Sequence, residues 1–332
     1  MNSVEMSLCA SYKNEFNLGV AMDFDKVHRY DCLVKKHFNS ITPENEMKFE
    51  IIHPEPHFFC WENMDKLVEY ARAGGSTVRG HTLFWHNQVP DWVKKMAGNS
   101  AKLKKVMDEH ALTIVDRYKE VISSWDVVNE IFSDEKDIFR NTFWYETLGE
   151  SFVERAFCLA READPNGLLF LNEYNGHIPE KREKILDKVI YFRKKGIPID
   201  GIGIQGHYNI TYPPLDLIKK EIETYARLEL KIQITELDIS LFDFFDRRTD
   251  LLEPTDDMLC KQERLYESLF HLYEEYSEYI SGVTFWGVAD DYTWLDDYPV
   301  EGRKDWPLLF DEKLRPKEVL LKIMRTHHGI TN

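Results

Sequence analysis

The sequence predicts an α/β fold, a closed (β/α)₈ barrel in a single domain, and three observations carry that expectation. Short apolar, β-branched runs recur eight times, each closing in polar or aromatic residues. Longer stretches with apolar residues at three- and four-residue spacing separate many of them. The chain has 332 residues, 43% hydrophobic and 13% aromatic, which is within the range of one barrel and rich enough for a packed core.

In chain order the strand-like runs are 18–22, 40–42, 78–83, 124–129, 168–171, 201–205, 232–235 and 282–285. Their apolar character is nearly continuous rather than alternating, as expected of a parallel sheet covered on both faces. The helical patterns fall at 64–73, 101–118, 152–162, 180–195, 215–228 and 260–276. Eight such units favour closure over an open sheet. No Gly-x-Gly-x-x-Gly follows the first run and no Gly-x-x-x-x-Gly-Lys occurs, so dinucleotide and P-loop folds lose their main support. No Ser/Gly/Pro-rich linker or charge block marks a boundary, which leaves residues 1–332 as one domain with no linker to a further module.

Composition narrows the function. With 42 basic and 58 acidic side chains the net charge is −16, so a nucleic acid or an anionic membrane is not expected as partner. No apolar run approaches the length of a membrane span. The first ten residues lack the basic and continuous apolar regions of a secretory signal, which points to a cytoplasmic protein. Five widely separated cysteines, Cys9, Cys32, Cys60, Cys158 and Cys260, fit neither a disulfide framework nor a Cys-x-x-Cys site, and buried reduced thiols are expected.

In a barrel of this kind the active site lies at the C-terminal ends of the strands. The residues there are Glu44-Asn45-Glu46-Met47-Lys48, His81 to His86, Asn129-Glu130, Asn172-Glu173-Tyr174-Asn175, Gln205-Gly206-His207, Glu236-Leu237-Asp238, and Trp286 with Trp294. Amides and carboxylates can bind vicinal hydroxyls, while indole rings cover the apolar faces of sugar rings. Two glutamates, Glu130 and Glu236, each close a strongly apolar strand. Glycoside hydrolysis needs such a pair, one to protonate the leaving oxygen and one to stabilise or attack the anomeric carbon. An isolated Glu at either place would more simply cap a helix or join an ion pair.

The sequence resembles glycoside hydrolase family 10, the endo-1,4-β-xylanases, of an intracellular type. The resemblance covers about 19–316 and rests on five motifs in order: Thr42 to Lys48, Arg79 to His86, Trp125 to Glu130, Ile234 to Asp238, and Thr284 to Val288. It implies a retaining double displacement with Glu130 in the position of the acid/base and Glu236 in that of the nucleophile. Carboxyl groups roughly 5–5.5 Å apart are then expected, and the pair should titrate as a unit, Glu236 raising the proton affinity of Glu130 until it is esterified.

By the same resemblance His207 hydrogen-bonds the nucleophile with Asp238 orienting its ring, and Asn129 and Gln205 meet the 2-hydroxyl and the nucleophile. Glu44, Asn45, Lys48, His81 and Gln88 correspond to glycone-side hydroxyl ligands. Trp85, Trp286 and Trp294 correspond to cleft walls, two of which would crowd a hydroxymethyl group and favour xylose over glucose. Tyr174 and Asn175 follow the fifth strand, where the family more often has Asp in place of Glu173, so Glu173 is left outside the site. His81, His86 and the pair His327-His328 lack a third ligand at sensible spacing, and no metal or other cofactor is expected.

The expected substrate is a short xylo-oligosaccharide. An exo-acting enzyme on the same fold, releasing sugar from one end, remains open, as does the orientation of Arg247 and Arg248 in the loop 242–255. A non-catalytic carbohydrate receptor would be expected to lack one carboxylate. Oligomeric state is not legible from the sequence.

Overall fold

The computed structural model describes residues 7–327, with side chains described as far as residue 324; the His327-His328 pair thus lies outside the described side chains. Among the described residues there are nine parallel strand segments, of which all but the short β7 close the barrel: β1 (Asn17–Met22), β2 (Ser40–Pro43), β3 (Thr77–Gly80), β4 (Ile122–Asn129), β5 (Leu168–Glu173), β6 (Gly201–Ile204), β7 (His207–Asn209), β8 (Lys231–Ser240) and β9 (Ile280–Phe285). They pair in the order β6-β5-β4-β3-β2-β1-β9-β8, and β6 pairs with β8 to close the cylinder. Nearly every strand residue is buried, which is why the runs read as continuous rather than alternating.

The closed cylinder has the eight strands expected from sequence, and the ninth segment is a short continuation of the sixth beyond a turn. The sixth barrel strand stops at Ile204, turns through Gln205 and Gly206, and resumes as β7 against β8. Gly206 has φ +84°, a left-handed conformation that glycine adopts without steric cost. Because β7 gives β8 a partner, β8 extends to Ser240, well past the expected 232–235. Strand β3 is shorter than the expected 78–83: the ladder stops at Gly80, and Leu83 and Phe84 then donate backbone bonds to Asp126 and Val127.

All six expected helices are present, within a few residues at their ends, as Glu62–Ala73, Ser100–Tyr118, Ser151–Ala163, Pro179–Lys194, Leu215–Ala226 and Asp256–Glu275. Two further long helices, Val27–His37 and Glu318–His327, complete the outer ring. Helix faces such as Ala111, Ile114 and Val115, or Ala156, Phe157 and Ala160, are fully covered against the strands, each large side chain contributing about 1.5–3 kcal/mol. The barrel interior is polar by contrast. Arg79 on β3 spans it, donating in a fork to Asp126 on β4 and through Nε to Gln233 Oε1 on β8 at 2.7 Å.

The five cysteines are free, and their burial differs from expectation: Cys32, Cys60 and Cys158 are exposed and Cys9 and Cys260 half-buried. Cys32, Cys158 and Cys260 ride on outer helices, whose outward faces meet solvent.

Candidate active site

Glu130 is the first residue beyond β4, and Glu236 lies within β8. The Glu130 N–H donates to Asn172 O (3.0 Å) at the end of β5, and the Glu236 N–H donates to Gln205 O (2.8 Å) at the end of β6. Both carboxylates therefore stand at the C-terminal end of the same cylinder.

A chain of buried amides joins them. Gln205 Nε2 donates to Glu130 Oε1 (3.2 Å) and to Asn129 Oδ1 (3.3 Å). Asn129 Oδ1 also accepts from Asn172 Nδ2 (2.9 Å), whose other contact is Glu236 Oε1 at 2.6 Å. Asn172 Oδ1 is satisfied by the Thr235 hydroxyl (2.6 Å), which fixes which end of the amide faces Glu236. The close approach depends on Gly203, where an added Cβ would lie 2.2 Å from Asn172 Oδ1.

The two glutamates sit in different surroundings. The Trp85 indole donates to Glu130 Oε2 (2.9 Å), and Glu130 is half-buried at the opening. Glu236 is buried, and burial pushes its proton affinity up. Hydrogen bonds from His207 and Asn172 and the nearby histidine charges override that push and hold it down at about 2. Glu236 is thus an anion across the whole neutral range.

His207 is the cation that does most of this. Its Nε2 meets Glu236 Oε2 at 3.3 Å, and its Nδ1 lies 3.0 Å from Asp238 Oδ1, an ion-pair contact that is not aligned as a hydrogen bond. Burial pulls its proton affinity down, but Asp238 and then Glu236 raise it to about 10. The register of β7 on β8 sets this up, since it places His207 directly beside Asp238. The Trp294 indole donates to Asp238 Oδ2 (2.8 Å), and the Trp294 and Trp286 rings stand 5.0 and 6.4 Å from the His207 ring.

Of the glycone-side residues expected from sequence, Asn45, Lys48 and Gln88 form one hydrogen-bonded patch. Asn45 Oδ1 accepts from Lys48 Nζ (3.2 Å) and Gln88 Nε2 (3.3 Å), while its Nδ2 donates to Asp23. Lys48 is buried, 5.2 Å from the Trp85 ring centroid, and burial lowers its proton affinity. Glu44 is shifted up by burial and then by Asp23, and Tyr292 OH reaches it at 3.4 Å. His81 is fully buried, its Nδ1 donating to Asp126 Oδ2 (2.8 Å) and its ring edge-on to Trp286.

Tyr174 is half-buried, and its hydroxyl is engaged by protein: it donates to Asp134 Oδ2 (2.6 Å) and accepts from Arg140. Glu173 is buried beneath it. Burial raises it to about 7, against the Lys181 ammonium at 3.1 Å. Arg247 and Arg248 are exposed, Arg247 donating to the Phe244 and Asp246 carbonyls and Arg248 pairing with Asp246.

Asn172, Thr235, Asp126 and Arg79 belong to this network although the sequence assigned none of them a role, and Asp23, Tyr292, Asp134, Arg140 and Lys181 were not named from sequence at all. Asn172-Glu173 ends β5 as Asn129-Glu130 ends β4, and an Arg and an Asp inside apolar strands imply mutual pairing. Among the described residues no group of three or more His, Cys, Asp or Glu could hold a metal ion, and no helix is long and apolar enough to cross a membrane.

Residues 7–326 match the family model described as Glycosyl hydrolase family 10. Endo-1,4-beta-xylanase B of Paenibacillus barcinonensis is 47% identical over 323 residues, covering 96% of this chain and 97% of that protein. The Endo-1,4-beta-xylanase of Geobacillus stearothermophilus is 45% identical over 326 residues, covering 96% and 98%. Among solved structures, xylanase XynB from Paenibacillus barcinonensis complexed with a conduramine derivative superposes with a TM-score of 0.93 at 47% identity, covering 97% of this chain and 99% of that one. A mutant structure in complex with xylotriose gives a TM-score of 0.93 at 44% identity, covering 96% and 99%.

Proposed function

The chain belongs to glycosyl hydrolase family 10, and from that premise we propose that it is an endo-1,4-β-xylanase working by retention, with Glu236 as nucleophile and Glu130 as acid/base. The observation that carries the assignment is the asymmetry of the pair. Glu236 is locked and ionised by His207 and Asn172, as an attacking oxygen must be, while Glu130 stands at the opening under an indole N–H and an amide.

In the first step a Glu236 oxygen bonds to the anomeric carbon as the glycosidic C–O bond breaks, and the Glu130 proton passes to the leaving oxygen. In the second, water attacks the same carbon, gives its proton to Glu130, and releases the Glu236 carboxylate. His207 and Asp238 keep Glu236 in one rotamer. Asn129 and Gln205 meet the 2-hydroxyl; Gln205 is tied directly to Glu130, and Asn129 is linked to Glu236 through Asn172. Glu44, Asn45, Lys48, His81 and Gln88 take the glycone hydroxyls, and Trp85, Trp286, Trp294 and Tyr174 form the walls.

The described residues act as one catalytic domain, on short xylo-oligosaccharides in a reducing compartment. Five free thiols, three of them exposed, suit such a compartment. Proton NMR of fresh product from xylotetraose tests activity and stereochemistry together. The β-anomer should appear first; first appearance of the α-anomer would exclude the double displacement. Faster turnover on polymeric xylan than on xylotetraose would overturn the preference for short substrates.

A further inference from the structure

We infer that Arg140 is a positioning residue for Glu130, aiming the acid/base carboxylate by clamping the Glu130 backbone; the inference rests on the assignment of Glu130 made above. Glu130 has φ +58°, a left-handed conformation that is disfavoured for a side chain with a Cβ and persists only where surrounding contacts hold it. Its N–H is held by Asn172 O and its carboxylate by Trp85 and Gln205. Its carbonyl oxygen accepts from Arg140 Nε at 3.1 Å.

Arg140 is well placed to act as a clamp. Its own N–H donates to Ile131 O (2.8 Å), and Phe132 bridges Phe139, so the loop leaving Glu130 returns to it. The guanidinium then reaches outward, Nη2 donating to Asp134 Oδ2 (3.1 Å) and to the Tyr174 hydroxyl. Asp134 is anchored in turn by Tyr174 OH (2.6 Å), Lys181 Nζ (2.8 Å) and Asn175 Nδ2 (3.4 Å). One planar side chain thereby couples the Glu130 carbonyl to the end of β5 and to the helix Pro179–Lys194, a two-sided contact that a point-charge ammonium reproduces only in part.

Arg140 bonds the Glu130 carbonyl and makes no hydrogen bond or ion pair with its carboxylate, so its effect passes through the backbone. Without the clamp, Glu130 φ is free to relax out of the left-handed region. That relaxation swings the Cα–Cβ bond and moves the carboxyl group away from the leaving oxygen, which it must approach to within about 2.6–3.2 Å to transfer a proton. Glu236, on β8, is untouched. The loss should therefore fall on protonation of the leaving group and spare nucleophilic attack.

The test measures kcat/KM for Arg140→Met, Arg140→Lys and Glu130→Ala on aryl β-xylobiosides of graded leaving-group pKa and on xylotetraose. Arg140→Met should stay within about 3-fold of the parent on the dinitrophenyl glycoside and fall by about 10²-fold on xylotetraose, with Arg140→Lys in between. A loss of equal size across the series, or none, would overturn the inference. A Glu130→Ala enzyme indifferent to the leaving group would overturn the acid/base assignment and this inference with it. Should Arg140→Met fail to fold, Asp134→Asn decides the matter: it leaves the guanidinium in place but weakens its anchor, and should give the same leaving-group dependence at about 10-fold.

Discussion

Replacing His207 by Asn removes the charge that keeps the proposed nucleophile ionised and leaves a shorter side chain that no longer extends to the position of Nε2, the atom that meets Glu236. In the parent, Glu236 is held at about 2, roughly 2.5 units below the ordinary 4.5 and against the opposing push of burial. At about 1.4 kcal/mol per unit this corresponds to about 3 kcal/mol favouring the carboxylate over the acid. The raised proton affinity of His207 expresses the same ion pair and is not added to it. With His207 gone, its hydrogen bond and charge no longer oppose burial, the largest influence, while the His81 charge and the Asn172 hydrogen bond remain, so the acid limb of kcat/KM should move up by about one unit or more. The plateau should also fall about 10²-fold from lost alignment.

Stability carries a matching signature. Glu236 contributes stability above its unfolded value near 4.5, lost as pH falls toward 2. His207 contributes stability below 6.5, lost as pH rises toward 10. The difference in stability between parent and His207→Asn should therefore be largest between about 4.5 and 6.5. The assay is a pH series of kcat/KM on an activated aryl xylobioside, with urea midpoints measured alongside. An acid limb that stays in place while the plateau falls would refute the electrostatic reasoning and leave His207 a merely steric role.

Two further substitutions probe the network around the pair. Asn172→Asp places a second carboxylate where the amide now donates to Glu236 at 2.6 Å; the acid limb should rise and kcat on xylotetraose should fall by at least about 10²-fold, read from a pH-rate profile. Asp126→Asn leaves Arg79 buried across the barrel without its carboxylate and removes the acceptor of His81; urea unfolding should show a loss of about 3–5 kcal/mol, together with a weaker KM for xylo-oligosaccharides.

The fold was legible because both layers leave plain patterns. Continuous apolar runs such as 18–22 and 168–171, too short for a helix and recurring between amphipathic stretches, read as strands covered on both faces, and the helices between them bury one stripe each. What escaped was set by tertiary partners. The extension of β8 to Ser240 depends on β7, a three-residue strand that exists only because the chain turns at Gly206. The first long helix, Val27–His37, carries few apolar residues in a polar stretch and buries only Val27, Tyr30, Val34 and His37.

In the site, the two glutamates stood out because they interrupt apolar context at strand ends. Asn172 did not, since its importance lies in a contact with Glu236 from 64 positions further along the chain. Tyr174 illustrates the reverse. Its place after the fifth strand puts it at the cleft, but its hydroxyl is already taken by Asp134 and Arg140, neither of which is near it in sequence.

The most direct measurement of the division of labour between Glu130 and Glu236 is trapping with an activated 2-deoxy-2-fluoroxylobioside, followed by digestion and peptide mass spectrometry. One stoichiometric glycosyl adduct on Glu236, absent from Glu236→Ala, is the expected result. An adduct on Glu130 or on any other side chain, or inactivation without covalent sugar, would contradict it.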